Sequence, residues 1–220
     1  LNWPLAILFL MEVLACFSGL YFYRKVRSSY WRYFSFYLVF IVFSEVLGYY
    51  LLAHFHAPEN VYYNSNYFNY FEIPAEFLFF FWLFYRAAAG PQRKLPVALG
   101  LIYLASWLSG ILFFKARFQI FDSVSYTIGN LLLLILILRF FIRLVTSDDI
   151  VTFRQNMLFW VSLGLLIFYL GSFPFYGLID TLGPKYQKLM NYYKYIVYGL
   201  NALMYLMFTF SFIWGKRKSS

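Results

Sequence analysis

The chain has 220 residues, 63% hydrophobic and 12% charged, with a mean hydropathy of +0.65. Soluble domains carry about 25% charged residues, so an ordinary soluble domain is excluded and an integral membrane protein is expected. The net charge of +9 does not point to nucleic acid, because the basic residues sit in short loops where topology signals belong.

A membrane span needs about 20 mostly apolar residues. Seven segments qualify: Leu5–Tyr23, Tyr33–Leu52, Tyr67–Tyr85, Leu95–Phe114, Ser123–Ile142, Met157–Tyr176 and Tyr192–Trp214. Turn and charge signals separate them at Arg24-Lys25-Val26-Arg27, Ala57-Pro58-Glu59-Asn60, Gly90-Pro91-Gln92-Arg93-Lys94, Ser147-Asp148-Asp149 and Gly183-Pro184-Lys185. The longest stretch between spans, Thr146 to Gln155, leaves no room for a second domain. The expected fold is therefore one all-α domain over residues 1–220, a seven-transmembrane-helix bundle. No basic region precedes the first apolar segment, so no cleavable signal peptide is expected. Leu1 as first residue suggests a fragment, a trimmed chain or an alternative start.

Lysine and arginine near span ends set orientation. Arg24, Lys25, Arg27, Arg32, Arg86, Arg93, Lys94, Arg139, Arg143, Arg154, Lys216, Arg217 and Lys218 fall on one side, and Lys115, Arg117, Lys185, Lys188 and Lys194 on the other, thirteen against five. This predicts an N-terminus outside and a C-terminus in the cytoplasm. Tyrosines crowd the outer ends (Tyr62, Tyr63, Tyr67, Tyr70; Tyr192, Tyr193, Tyr195, Tyr198). They read as an interfacial belt or, less simply, as the wall of a vestibule.

Internal similarity is faint. Span one meets span five at an offset of 118, span two meets six at 123 and span three meets seven at 125. Glu12 then falls on Asn130, Leu47-Gly48 on Leu170-Gly171, Pro74 on Gly199 and Glu76 on Asn201. Two parallel three-helix units joined by the fourth span, a 3+1+3 pseudo-repeat, would give this pattern, as would chance matches in apolar sequence.

Four glutamates lie inside the apolar segments: Glu12, Glu45, Glu72 and Glu76. A carboxylate in hydrocarbon costs at least ~2.5 kcal/mol, so it faces a bundle interior and by default marks a functional site. At ~1.5 Å per residue, Glu12, Glu45 and Asn130 lie roughly 10 Å from the outer end of their spans, Glu72 about 8 Å and Glu76 and Asn201 roughly 14 Å. They share one layer in the outer half of the membrane. Glu72 and Glu76, four apart, share a helix face, where two carboxylates in low dielectric do not both ionise readily. Pro74 between them removes a backbone hydrogen bond and frees the carbonyl near Tyr70. The expected ligand- or ion-binding residues are Glu76, Glu72, Glu45, Glu12, Asn130 and Asn201. The bland alternative is that each carboxyl is protonated and bonds a neighbour, holding helices together. Lys194 could pair with the cluster, although snorkelling to the interface is its simpler role.

Catalytic and cofactor readings find little support. Cys16 is the only cysteine, and no CxxC or CxxH spacing exists. His54 and His56, the only histidines, are two apart and diverge on a helix, which argues against a metal site with Glu59 and Glu72. A retinal protein needs a lysine in the middle of the seventh helix, and none lies between residues 195 and 214. No phosphate-loop, nucleophile-elbow or zinc-helix signature appears. No enzyme activity, catalytic residue, metal or cofactor is expected.

Two stretches carry a resemblance. Tyr70-Phe71-Glu72-Ile73-Pro74-Ala75-Glu76-Phe77-Leu78-Phe79, running on to Phe84-Tyr85-Arg86, and Phe159-Trp160-Val161-Ser162-Leu163-Gly164-Leu165-Leu166-Ile167-Phe168-Tyr169-Leu170-Gly171-Ser172 resemble a family of small, uncharacterised bacterial seven-transmembrane proteins often encoded near histidine kinases. The resemblance implies a sensory role and supplies no catalytic residues. It implies the bacterial inner membrane as location.

The expectation is a receptor-like sensory membrane protein that binds a small ligand or ion in an outward-facing polar cavity. Its partners would be the lipid bilayer and a membrane or cytoplasmic signalling protein, met by the basic loops and the tail Lys216-Arg217-Lys218. The alternative is a proton- or cation-coupled secondary transporter using the Glu72–Glu76 pair. Single cysteines replacing Glu59 and Lys218 should react with an impermeant thiol reagent from opposite sides of the membrane. Labelling of both from one side would overturn the topology.

Overall fold

The computed structural model describes residues 3–55, 59–114, 122–182 and 185–215, and these residues are predominantly helical, joined by short turns, with no strand among them. The expected features at His56, the Ala57-Pro58 turn, Lys115, Arg117, Gly183-Pro184 and the tail Lys216-Arg217-Lys218 lie outside the described residues. The α-helical segments are α1 (Trp3–Tyr21), α2 (Tyr23–Val26), α3 (Arg32–His54), α4 (Glu59–Tyr67), α5 (Ile73–Ala87), α6 (Lys94–Phe114), α7 (Ser123–Thr146), α8 (Met157–Leu182) and α9 (Gln187–Trp214). Six helices, namely α1, α3, α6, α7, α8 and α9, are long and apolar enough to cross a membrane. Several run beyond the sequence-derived spans: α9 starts five residues earlier, at Gln187, and α8 ends six later, at Leu182. The tyrosines expected at interfaces therefore sit on helices rather than in loops.

A π-helical turn, Phe68–Glu72, joins α4 to α5 without a break. Its physical cause is Pro74, which has no N–H and whose ring collides with the carbonyl four residues back. The sequence predicted a freed carbonyl at Tyr70. Ahead of the proline the register widens, and the Ile73 N–H reaches back five residues to the Phe68 carbonyl. The Asn69 carbonyl accepts from Trp107 Nε1 of α6 at 3.2 Å, while Asn69 Oδ1 accepts the Asp122 backbone N–H at 3.2 Å, at the start of α7. Such π turns recur at functional sites.

The helices close a ring. α3 packs on α1, α1 on α9, α9 on α8, α8 on α7 and α7 on α6. The α4–α5 run completes it, with α4 against α3 and α5 against both α6 and α7. Lipid is as apolar as leucine, so helices in a membrane associate through close packing and hydrogen bonds rather than hydrophobic burial. Here the packing is aromatic. Tyr37 of α3 stacks on Phe79 of α5 with ring centroids 4.3 Å apart, Phe34 of α3 stacks on Phe212 of α9 at 5.5 Å, and Phe80 of α5 meets Phe208 of α9 at 6.1 Å. Phe77 of α5 contacts Tyr103 of α6, Tyr126 of α7 and Tyr169 of α8. α5 is thus the hub. The outward faces carry exposed Leu10, Phe17, Leu101, Leu112, Ile142 and Leu170, apolar surface that a membrane protein presents to lipid.

Close approach singles out Gly129 on α7. A Cβ there would lie 2.8 Å from Tyr103 Cε2 and 3.0 Å from Phe77 Cε1, both on fully buried rings. Around Gly199 nothing lies within 4 Å. Gly129→Ala should therefore lower stability by roughly 1–3 kcal/mol through overpacking, whereas Gly199→Ala should raise it by up to ~1 kcal/mol through helix propensity. Thermal unfolding of the purified protein reads both. Equal effects would contradict the packing described.

Candidate functional site: a carboxylate-lined cavity

The candidate site sits where α3, the π turn, α5, α8 and α9 converge. A cavity of about 500 Å³ is lined by Glu45, Glu72, Glu76 and Asn201, bringing together residues from three of the segments that the sequence singled out. Asn64, Ser65 and Lys194 also line it, marking the end from which α4 and α9 start. Lys194 is exposed, and its Nζ lies 5.5 Å from the Tyr198 ring centroid. It reaches the cavity and an aromatic face at once.

Each carboxylate is held differently. Glu72 is buried at the last residue of the π turn. Glu76, one turn into α5, accepts a hydrogen bond from Tyr169 Oη of α8 at 2.9 Å. The Tyr169 backbone carbonyl accepts from Asn130 Nδ2 at 3.1 Å. Asn130 is fully buried behind this tyrosine and does not line the cavity. Its part is to fix α7 against α8 at the level of Glu76. The side-chain oxygen of Asn201 is buried without a hydrogen-bond partner among the described residues.

Glu12 faces a different space. It lies at the floor of a groove of about 420 Å³ between α1 and α3, which Glu45, Val46, Tyr50 and His54 also line. Glu45 is common to the groove and the cavity. The four carboxylates lie within electrostatic reach of one another, Glu72 of Glu76, Glu45 and Glu12, and Glu12 of Glu45 and Glu76. Ionised carboxylates buried together are costly unless matched by protons or cations. That is what the site can do chemically: hold protons or bind a cation.

Sequence reasoning passed over the tyrosines that finish the site. Tyr126, Tyr176 and Tyr205 line the cavity and Tyr169 bonds Glu76. With 22 tyrosines in the chain, nothing local distinguishes these four. Of the outer-end tyrosines, Tyr67 bonds Ser44 Oγ at 2.8 Å and Tyr193 donates to the Gly171 carbonyl at 2.8 Å, while Tyr192 and Tyr195 are exposed. His54 stacks on Tyr50 at 3.9 Å, with its Nδ1 3.3 Å from the Tyr50 carbonyl. No cluster of three metal-ligating side chains occurs among the described residues.

Further along α5, Phe77 and Phe80 are buried with Tyr37 and Phe208, and a second cleft opens near the connection between α2 and α3. That cleft holds about 570 Å³ and is lined by Ser28, Arg32, Phe79, Trp82 and Arg86. Arg32 donates to Tyr33 Oη at 2.6 Å and Arg86 lies 5.9 Å from the Tyr30 ring centroid.

No protein-family model, curated protein or solved structure matches this chain. The site therefore stands on its own geometry.

Removing the Tyr169 hydroxyl isolates its contribution. Tyr169→Phe keeps the ring stacked on Phe77 but deletes the bond to Glu76, and should cost roughly 1–3 kcal/mol. Thermal unfolding of Tyr169→Phe, Glu76→Gln and the double variant measures the coupling. Strictly additive effects would show that the bond contributes nothing.

Proposed function

We propose that the protein is a receptor-like sensory membrane protein whose central cavity binds a small cation or cationic ligand between Glu45, Glu72 and Glu76. The α4–α5 run serves as a seventh crossing beside the six apolar helices, and the loop charges give an N-out, C-in orientation. One observation carries the sensing reading. α5 lines the carboxylate cavity through Glu76 and the basic cleft through Phe79, Trp82 and Arg86, while the ring layer of Tyr37, Phe80 and Phe208 seals one from the other. Glu76 and Arg86 are ten residues, roughly 15 Å, apart along one helix. A cation drawn into the cavity would pull on Glu76 and on the π turn, and the displacement would be read at the basic cleft. A coupling of this kind needs an element with two arrangements, and the π turn supplies one. The basic cleft suits a cytoplasmic partner or an anionic headgroup.

A second reading, a cation-coupled transporter, is favoured by the pattern of neighbours. Exchanging α1 with α7, α3 with α8 and α5 with α9 maps the α1–α3 contact onto α7–α8, and α1–α9 onto α7–α5. Gly48 and Gly171 are both close-approach points, to Phe68 and to Leu200, with a built Cβ at 2.8 and 2.6 Å. That is part of the relation a parallel three-helix pseudo-repeat requires; the extensive α8–α9 contact has its counterpart in α3–α4 rather than α3–α5. Transport needs a path to both faces, and the ring layer opposes it.

Methylammonium is a suitable first probe. In a variant whose only tryptophan is Trp82, methylammonium should shift the emission from the basic cleft with a saturable dependence, and Glu76→Gln should abolish the shift while leaving the fold intact. Accumulation of labelled methylammonium in proteoliposomes, sensitive to Glu76→Gln, would favour transport instead. A response unchanged in Glu76→Gln would reject this cavity as the site.

A further inference from the structure

The groove between α1 and α3 is not part of the central cavity, yet it ends on the same carboxylate. Its walls are apolar, with Leu5, Leu8, Phe9 and Val46 among them, and Phe9 and Val46 are 37% and 52% exposed on helices apolar enough to cross a membrane. The groove therefore opens sideways, toward lipid. At its floor Glu12 is only 2% exposed and accepts no hydrogen bond from any described residue. An acidic side chain this deeply placed at the end of an apolar groove is costly to keep ionised. A cationic or hydrogen-donating group meeting it there would offset that cost. Glu45, on the facing helix, turns a single carboxylate into a pair and connects the groove to the central cavity.

We propose that the groove binds an amphiphilic ammonium compound, with its charged head between Glu12 and Glu45 and its apolar tail along α1 and α3. This rests on the reading of the carboxylates as a cation site and names the ligand class that the site takes from the membrane. An ammonium group brings three donors, and its charge favours the ionised form of the pair, in which both carboxylates are acceptors only. From Leu5 to Glu12 the groove follows roughly 10 Å of helix, room for a medium-length alkyl chain or one or two rings. A fatty acid is disfavoured, because its carboxylate would meet two others. A neutral lipid tail would fill the walls but leave Glu12 unmatched. Pockets of this volume, apolar with a few convergent polar groups, are typical of small-molecule sites.

The test compares octylammonium, methylammonium, octanol and octanoate on the full chain in zwitterionic nanodiscs, read by thermal unfolding against concentration. Octylammonium should stabilise saturably at concentrations at least about tenfold lower than methylammonium, because its tail is also buried. Octanol and octanoate should have little effect. Leu8→Trp, which fills the groove without touching a carboxylate, should weaken octylammonium by about tenfold or more and leave the methylammonium response intact, which also reports that the variant folds; Glu12→Gln should weaken octylammonium more than it weakens methylammonium. Octylammonium no better than methylammonium, octanol as effective as octylammonium, or insensitivity to both variants would overturn the groove site while leaving the central cavity standing. Loss of every ammonium response in the parent chain would overturn the cavity reading together with it.

Discussion

A carboxylate cannot be left facing hydrocarbon, and the third hydrophobic segment carries two. That constraint places α5 and the π turn inside the bundle. Turned toward lipid, Glu72 and Glu76 would each carry a penalty of several kcal/mol; turned inward, they require walls on every side. The other helices supply those walls. α5 meets α3 through Phe79 and Phe80, α9 through Phe80, and α6, α7 and α8 through Phe77. The ring of helices is in this sense built around one polar element. Pro74 adds the local consequence, a π turn that sets Glu72 at its end and engages Asn69 with both α6 and α7.

Aromatic residues do two jobs. They give close contact between helices that have no hydrophobic reason to leave lipid, and offset or edge-on ring pairs add to simple packing. They also divide the interior. Above the layer of Tyr37, Phe80 and Phe208 lie carboxylates, amides and tyrosine hydroxyls; below it lie the arginines of the basic cleft. Opposite charges are kept at opposite ends of one helix. α5 is the helix that lines both spaces, through Glu76 and through Arg86.

Glu45 occupies the other strategic position. It lines both a cavity with an exposed lysine at its rim and an apolar groove between α1 and α3, so one carboxylate belongs to two spaces.

The amino-acid sequence by itself determined the class of the protein. Length, the apolar runs and the scarcity of charge leave only a helical membrane protein, because backbone polar groups in lipid must be satisfied within helices or closed barrels. It also singled out four carboxylates, since a charged residue within an apolar run is visible without any structure. Glu45, Glu72, Glu76 and Asn201 meet in one cavity. What depth along a helix could not reveal is direction around it. Glu12 faces a groove between α1 and α3, and Asn130 is buried behind Tyr169. The partner tyrosines were illegible for a related reason: among so many, only the three-dimensional path of α7, α8 and α9 selects Tyr126, Tyr169, Tyr176 and Tyr205. A span's register in the membrane is a property of its own sequence. The face it shows to a neighbour is set by where that neighbour lies, and only the tertiary structure decides it.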